Sequence, residues 1–345
     1  MQVCLGMNRL FTLLFLFAAT LLLPAQEAFR VMFYNVENLY DTINNPKTHD
    51  DDLTPKGALH WSGYRYQKKL EDVSKVISSL GGKYPPALVG ICEIENRNVA
   101  ADLTQRSSLA RHKYKYVITN SKDMRGSNIA LLYQRDQFRL IANRSYTPNL
   151  GKDKTTRDIL HVTGQVVSGD TLDVFVCHFP SRSEGVARSE PYRIRTARLL
   201  KTKVDGLFRK RSKANVIIMG DFNDLPTDKS LKEVLTAKSI TRNIDRNSLY
   251  NLCLTPILEE GKIKSYKYRG KWDYVDQIIV NGCLLDSKNP VHLSVKKAGI
   301  YDPDFLLEED DKYGGEKPFR TYSGWTYLGG ASDHLPVYTD LYIKE

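Results

Sequence analysis

The chain has 345 residues, 41% of them hydrophobic, with 50 lysines and arginines against 40 aspartates and glutamates. That length and apolar content exclude global disorder and supply a sizeable core. The formal net charge of +10 favours anionic partners such as nucleic acid, phospholipid head groups or small phosphates.

The N-terminus reads as a secretory signal peptide over residues 1–25. Arg9 precedes an apolar run at residues 10–23, and Pro24-Ala25-Gln26 supplies the small residue for cleavage, with Ala28 as the alternative site. The run is shorter than the roughly 20 residues a membrane helix needs, so no stable membrane span is expected. The remainder, residues 26–345, reads as one domain, secreted to the periplasm or the extracellular space. Cys4 would leave with the leader. Among the other four cysteines, Cys92 and Cys177 sit in apolar strand-like runs, where buried free thiols are common. No CxxC spacing suggests a zinc ribbon or a thioredoxin-type motif.

Downstream, short apolar runs alternate with helical patterns. A strand at 30–36 ends in Tyr34-Asn35-Val36-Glu37, and the two-residue spacing puts Asn35 and Glu37 on one face. A helix is expected over 64–80, where Tyr66, Leu70, Val73, Ile77 and Leu80 recur at three- and four-residue spacing. Glu71 and Lys75 would form an ion pair on its surface. A strand at 87–92 runs into Glu93-Ile94-Glu95, again two carboxylates on one face; oxygen donors of this kind suit magnesium or calcium.

Strands at 114–119 and 128–133 read as a hairpin, as do 161–167 and 172–179 across Ser168-Gly169-Asp170. The latter ends in His178-Phe179-Pro180-Ser181-Arg182. A histidine there can bind a phosphate oxygen or shuttle a proton. A helix over 192–208 follows, with Pro191 in its first turn. Arg182, Arg188, Arg193, Arg195 and Arg198 suit bidentate phosphate contacts, and Arg182 is the strongest candidate because it lies four residues from His178. The last three are as well explained as a solvated helix face.

The strand at 215–220 leads into Gly220-Asp221-Phe222-Asn223, and Asp228 is placed to cap a third, short helix. Asp273 and Asp276 both precede an apolar strand; Asp276 is preferred because it directly abuts it. Gly324-Trp325-Thr326-Tyr327 would supply an aromatic wall or simple packing. Ser332-Asp333-His334 precedes a last strand at 336–343, and His334 is the leading acid–base candidate, with an aspartate to fix its tautomer. The scattered strands and few helices point to a mixed, largely antiparallel α/β sandwich.

Asn35, Glu93, His178, Gly220-Asp221-Phe222-Asn223, the aspartate before Gln277-Ile278-Ile279-Val280, and Ser332-Asp333-His334 occur in one order over residues 29–345. In this the chain resembles the endonuclease/exonuclease/phosphatase superfamily, which includes pancreatic-type deoxyribonucleases, abasic-site endonucleases, bacterial sphingomyelinases and inositol polyphosphate phosphatases. The resemblance implies a four-layer sandwich of two mixed, largely antiparallel β-sheets flanked by helices. It implies a metal-dependent hydrolase of phosphate esters working by in-line attack of water, with Mg2+ as the default ion and Mn2+ or Ca2+ as alternatives. Asn35, Glu93 and Asp333 would hold the cation. Asp221 and Asn223 would orient water and bind phosphate, His334 with Asp276 would form the essential pair, and His178 and Arg182 would meet the substrate.

Basic charge favours a nuclease. A sphingomyelinase-like phospholipase and a sugar or inositol phosphate phosphatase are the alternatives, and a non-catalytic phosphate-binding module is the rival from another class. No protein partner is expected.

Overall fold

The computed structural model describes residues 29–344, apart from 83, 153 and 255–263. The signal-peptide reading of residues 1–25 falls outside the described residues. Among those described, no helix is long and apolar enough to cross a membrane.

In chain order, β1 (Phe29–Leu39) leads through α1 (Gly63–Gly81) to β2 (Leu88–Ile94), then α2 (Arg97–Gln105), β3 (Lys115–Ile118), β4 (Asn128–Tyr133), β5 (Phe138–Tyr146), β6 (Ile159–Val166) and β7 (Thr171–His178). Helix α3 (Val186–Lys210) carries the chain to β8 (Asn215–Asp221) and β9 (Leu249–Asn251). A small hairpin, β10 (Tyr266–Tyr268) with β11 (Lys271–Asp273), precedes β12 (Asp276–Asn281), β13 (Val291–Leu293) and β14 (Gly299–Ile300). Two further hairpins, β15 (Leu307–Glu309) with β16 (Glu316–Pro318) and β17 (Tyr322–Ser323) with β18 (Thr326–Tyr327), lead to β19 (Val337–Ile343).

The first sheet runs β13-β19-β1-β2-β4-β3, with β14 also pairing β19; the second runs β5-β6-β7-β8-β12-β9. Each contains one parallel pair, β1 with β2 and β7 with β8, and each such pair is joined by a helix, α1 or α3. All other pairs within these two sheets are antiparallel.

Three apolar cores give four layers. One lies between the sheets, with Phe33, Leu131, Val176 and Met219 among its members. A second packs Leu70, Val73 and Ile77 of α1 and Leu103 of α2 on the first sheet. A third packs Ala197, Leu200 and Val204 of α3 on the second. Burying each such valine or leucine contributes roughly 1.5–3 kcal/mol. The sheets approach closely: a Cβ on Gly90 would lie 2.8 Å from Met219 Cε.

Several local expectations are corrected. Helix α3 begins at Val186, so Pro191 lies inside it rather than in its first turn. Glu71 accepts from Ser108 N at 3.1 Å and Lys75 lies over the Phe305 ring, so their ion pair does not form. Asp228 accepts from Leu225 N at 2.7 Å ahead of a single irregular turn, Ser230–Val234. Cys92 and Cys177 are buried and free, as expected, and so are Cys253 and Cys283.

Candidate active site

The topology brings the catalytic candidates together. Parallel strands end on the same side, so β1 and β2 deliver Asn35 and Glu93 where β7 and β8 deliver His178 and Asp221. His178 is the register partner of Asp221 across β7 and β8, and Asp276 is its partner across β8 and β12. Three candidates therefore share one row of the second sheet. Gly220 is required beneath this row, because a Cβ there would sit 2.4 Å from the Cys177 carbonyl oxygen.

Between the two sheet ends lies a cleft of about 710 Å³, lined by Glu93, His178, Asp221, Asn223, Asp333 and His334, with Arg182 on its wall. Asn35 and Asp276 stand just behind. The Asn35 amide donates to Asp221 Oδ2 at 3.1 Å and to Glu93 Oε1 at 3.4 Å, tying the two sheets together. Asp276 Oδ2 accepts from His334 Nδ1 at 2.7 Å, leaving Nε2 facing Asp221 and Asp333 at 4.0 and 3.9 Å. Asp273, the competing aspartate, turns instead toward Arg182.

Three site residues hold left-handed backbone without being glycine: Glu37, Glu93 and Asn223, with φ of 46°, 63° and 50°. Such conformations are uncommon for side-chain-bearing residues and concentrate at functional sites. They also overturn two simple alternation arguments. β1 is irregular beyond Asn35, so Glu37 turns away to accept from Thr321 N at 2.7 Å. β2 is irregular at Glu93, so Glu95 faces the Asp41 amide rather than the cleft.

Electrostatics follow from burial and crowding. Burial, and then the neighbouring Asp276 carboxylate, push the Asp221 carboxyl up to about 7. Burial alone would depress His334, but Asp276 and Asp333 outweigh it and hold the imidazole well above its usual range. His178 is driven well below that range, first by burial and then by Arg157 and Arg125, so it is neutral. It lies 3.6 Å from Asp221 and 3.9 Å from Glu93.

This donor set fits a hard divalent cation. Glu93, Asp221, Asp276 and Asp333 crowd carboxylates into a small volume, and Asp276 Oδ1 is buried with no hydrogen-bond partner. Asp221, Asp276 and His334 also place one ligand atom each within 4.8 Å of one another. Because His334 Nδ1 is already engaged by Asp276, the oxygen-rich side formed by Asn35 and Glu93 suits a hard divalent cation better.

Some residues act differently from expectation, and two more, Tyr266 and Arg320, belong to the site. Arg182 binds the Asn223 carbonyl and pairs with Asp228 at 3.0 Å and Asp224 at 3.6 Å, so acidic partners already engage its guanidinium. Asn223 spends its amide on Phe179 O and donates its backbone N–H to Asp221 Oδ1. The 324–327 stretch packs near α1, with Tyr327 under Arg65, not on the cleft. The cleft's aromatic wall is Tyr266, stacked 4.6 Å from the His334 ring, with Tyr268 beyond it. Arg320 bridges Asp333 at 2.9 Å and Glu37 at 3.4 Å. The tight Arg269-Gly270 turn inside Tyr-Lys-Tyr-Arg-Gly-Lys-Trp was a legible hairpin signal for the first of these; Arg320 carried no local signal.

Residues 30–343 match the endonuclease/exonuclease/phosphatase family. No curated protein sequence matches. Similar solved structures include truncated Caenorhabditis elegans TDP2, with 15% identity, a TM-score of 0.56 and coverage of 91% of this chain and 97% of that one. An endonuclease/exonuclease/phosphatase from Bacteroides vulgatus shares 14% identity at a TM-score of 0.55, covering 92% and 99%. D. rerio TDP2 in complex with a single-strand DNA product shares 14% identity at a TM-score of 0.55, again covering 92% and 99%. At such identities the likeness to these structures is one of fold.

Proposed function

Because the chain belongs to the endonuclease/exonuclease/phosphatase family and so is a metal-dependent hydrolase of phosphate esters, we propose that its cleft cleaves phosphodiester bonds in nucleic acid. The reading is carried by one observation: Glu93, Asp221 and His334, from three distant segments, line a single cleft. The basic net charge and the exposed Tyr268 at its rim suit a polyanionic chain with planar bases. The D. rerio relative holds a ligand of that class.

In this proposal Glu93, Asn35 and Asp333 hold the cation, which when bound neutralises charge on the phosphate and the leaving oxygen. Asp221 is fixed on one oxygen by Asn35 and on the other by the Asn223 backbone. So held, it aligns the attacking water and takes its proton. His334, kept cationic by Asp276, donates from Nε2 to a phosphate oxygen as charge accumulates there. Neutral His178 donates a second hydrogen bond from the opposite wall. Arg182 acts by positioning Asn223.

The mature domain is proposed to work outside the cytoplasm, on the support of the apolar run at 10–23; N-terminal sequencing of the exported protein tests this. The activity is tested by offering the purified protein bis-(p-nitrophenyl) phosphate, single-stranded DNA, sphingomyelin and inositol phosphates with magnesium. Cleavage of the diester and of DNA is expected. Turnover confined to the lipid or the inositol phosphates would refute the nuclease reading.

A further inference from the structure

A second cavity, of about 530 Å³, lies far from the catalytic cleft, between β5–β6 and the C-terminal half of α3. Its rim carries Arg144, Lys203, Arg209, Lys210 and Arg211. Its floor is aromatic: His161 stacks on Phe175 at 4.2 Å, and Tyr146 lies against His161 at 6.2 Å. The carboxylate beneath it, Asp173, is fully buried and already satisfied by His161 at 2.9 Å and by Arg211. Asp205 on α3 is taken by Lys201 at 2.6 Å. Among the described residues no carboxylate pairs with Arg144, Lys203, Arg209 or Lys210, and Lys203 lies over the Tyr146 ring. The cavity therefore presents unneutralised cations around an aromatic floor.

Helix α3 connects the two sites. Its first residue, Val186, lines the catalytic cleft, whereas Thr202 to Lys210 line the second cavity. Between Val186 and Gly206 the helix rises about 30 Å. Arg188 and Arg195, seven residues apart, are exposed along the way on one face. Arg193, between them in sequence, is instead fully buried on Asp224 at 2.6 Å.

We infer that this cavity is a phosphate-binding exosite for the distal part of a single-stranded nucleic acid whose scissile bond lies in the catalytic cleft. The inference rests on the nuclease reading above. The cations bind backbone phosphates and release counterions. At the roughly 3.4 Å rise of a fully stacked strand, about nine nucleotides would cover this length, and an extended strand would need fewer.

The test uses the full chain with Arg144, Arg209 and Lys210 all changed to alanine; all three are exposed, so the fold is retained. Binding of a fluorescein-labelled 20-nucleotide DNA is followed by anisotropy across a salt series, in a His334→Ala background that prevents turnover. The triple variant is expected to lose at least about tenfold in affinity at low salt, and its log–log salt slope is expected to fall by about 2, from 0.7 per phosphate on a single strand. A four-nucleotide DNA should bind both proteins alike, and with His334 intact the triple variant should hydrolyse bis-(p-nitrophenyl) phosphate at the parental rate. An unchanged affinity and slope for the 20-mer would overturn the exosite. A parent protein that cleaves the small diester but neither binds nor cuts DNA would instead overturn the nuclease reading.

Discussion

His334 Nδ1 stands 2.7 Å from Asp276 Oδ2, both groups buried, one on the loop before β19 and the other at the start of β12. The contact fixes which imidazole nitrogen faces the cleft and favours its charged form. Asp276→Asn keeps the shape but loses the charge. Steady-state turnover of bis-(p-nitrophenyl) phosphate should fall about 10²–10⁴-fold, with melting temperature little changed. Turnover at the parental rate would remove Asp276 from the account.

Arg320 is the cation between Asp333 and Glu37. Removing it frees Asp333 to swing and leaves Glu37, which is buried, without its nearest positive charge. Arg320→Ala is expected to raise the magnesium concentration for half-maximal activity by about 10–100-fold, the usual effect of losing a group that orients a metal ligand. Arg320→Lys should restore part of it. A magnesium titration that superimposes on the parent's would contradict this role.

Most of this arrangement was legible in the sequence because strand ends are local events. The apolar run 215–220 followed by Gly-Asp-Phe-Asn could only present Asp221 at a strand tip, and β8 ends there. The contacts that hold the loops were not legible. Arg320 meets a carboxylate 283 residues away, and nothing near it in the chain signals that partner. Alternation misled at Glu37 and Glu95 because left-handed residues break the period of two just where the site is built. The edge strand β5, Phe138–Tyr146, escaped notice because its outward face is polar and exposed. Helix α2 did too, although Asn96 caps it through bonds to the Asn98 and Val99 amides.

Lys69 is buried in α1, with its ammonium donating to Ala331 O at 2.6 Å and to Thr321 Oγ1. It therefore anchors the loop that carries Arg320 and His334. Lys69→Met leaves these acceptors unpaired and should cost about 1–3 kcal/mol in denaturant unfolding. Burial, opposed by Glu37 and Asp333, lowers the Lys69 pKa to about 8, below the usual 10.5. Between those two values the unfolded chain binds more protons than the folded one, so this group's contribution to stability rises with pH. The parent should thus gain on Lys69→Met between pH 8 and 10 in paired melts; a gap that narrows over that range would contradict the lowered pKa of this buried group.

Glu93 lies within reach of Asn35 and His178, and under the proposed function its carboxylate holds the cation. Glu93→Gln keeps the size and removes the charge. Magnesium affinity measured by isothermal titration, independently of turnover, should drop at least about tenfold. Equal affinity would place the cation elsewhere.

The most direct measurement is hydrolysis of bis-(p-nitrophenyl) phosphate by the purified chain with magnesium, after EDTA, and after magnesium is restored, alongside His334→Ala. Turnover that disappears with EDTA, returns with the ion and is absent from a folded His334→Ala variant is the expected result. Turnover that survives EDTA or persists in that variant would contradict the claim that these distant strand ends form one metal-dependent centre.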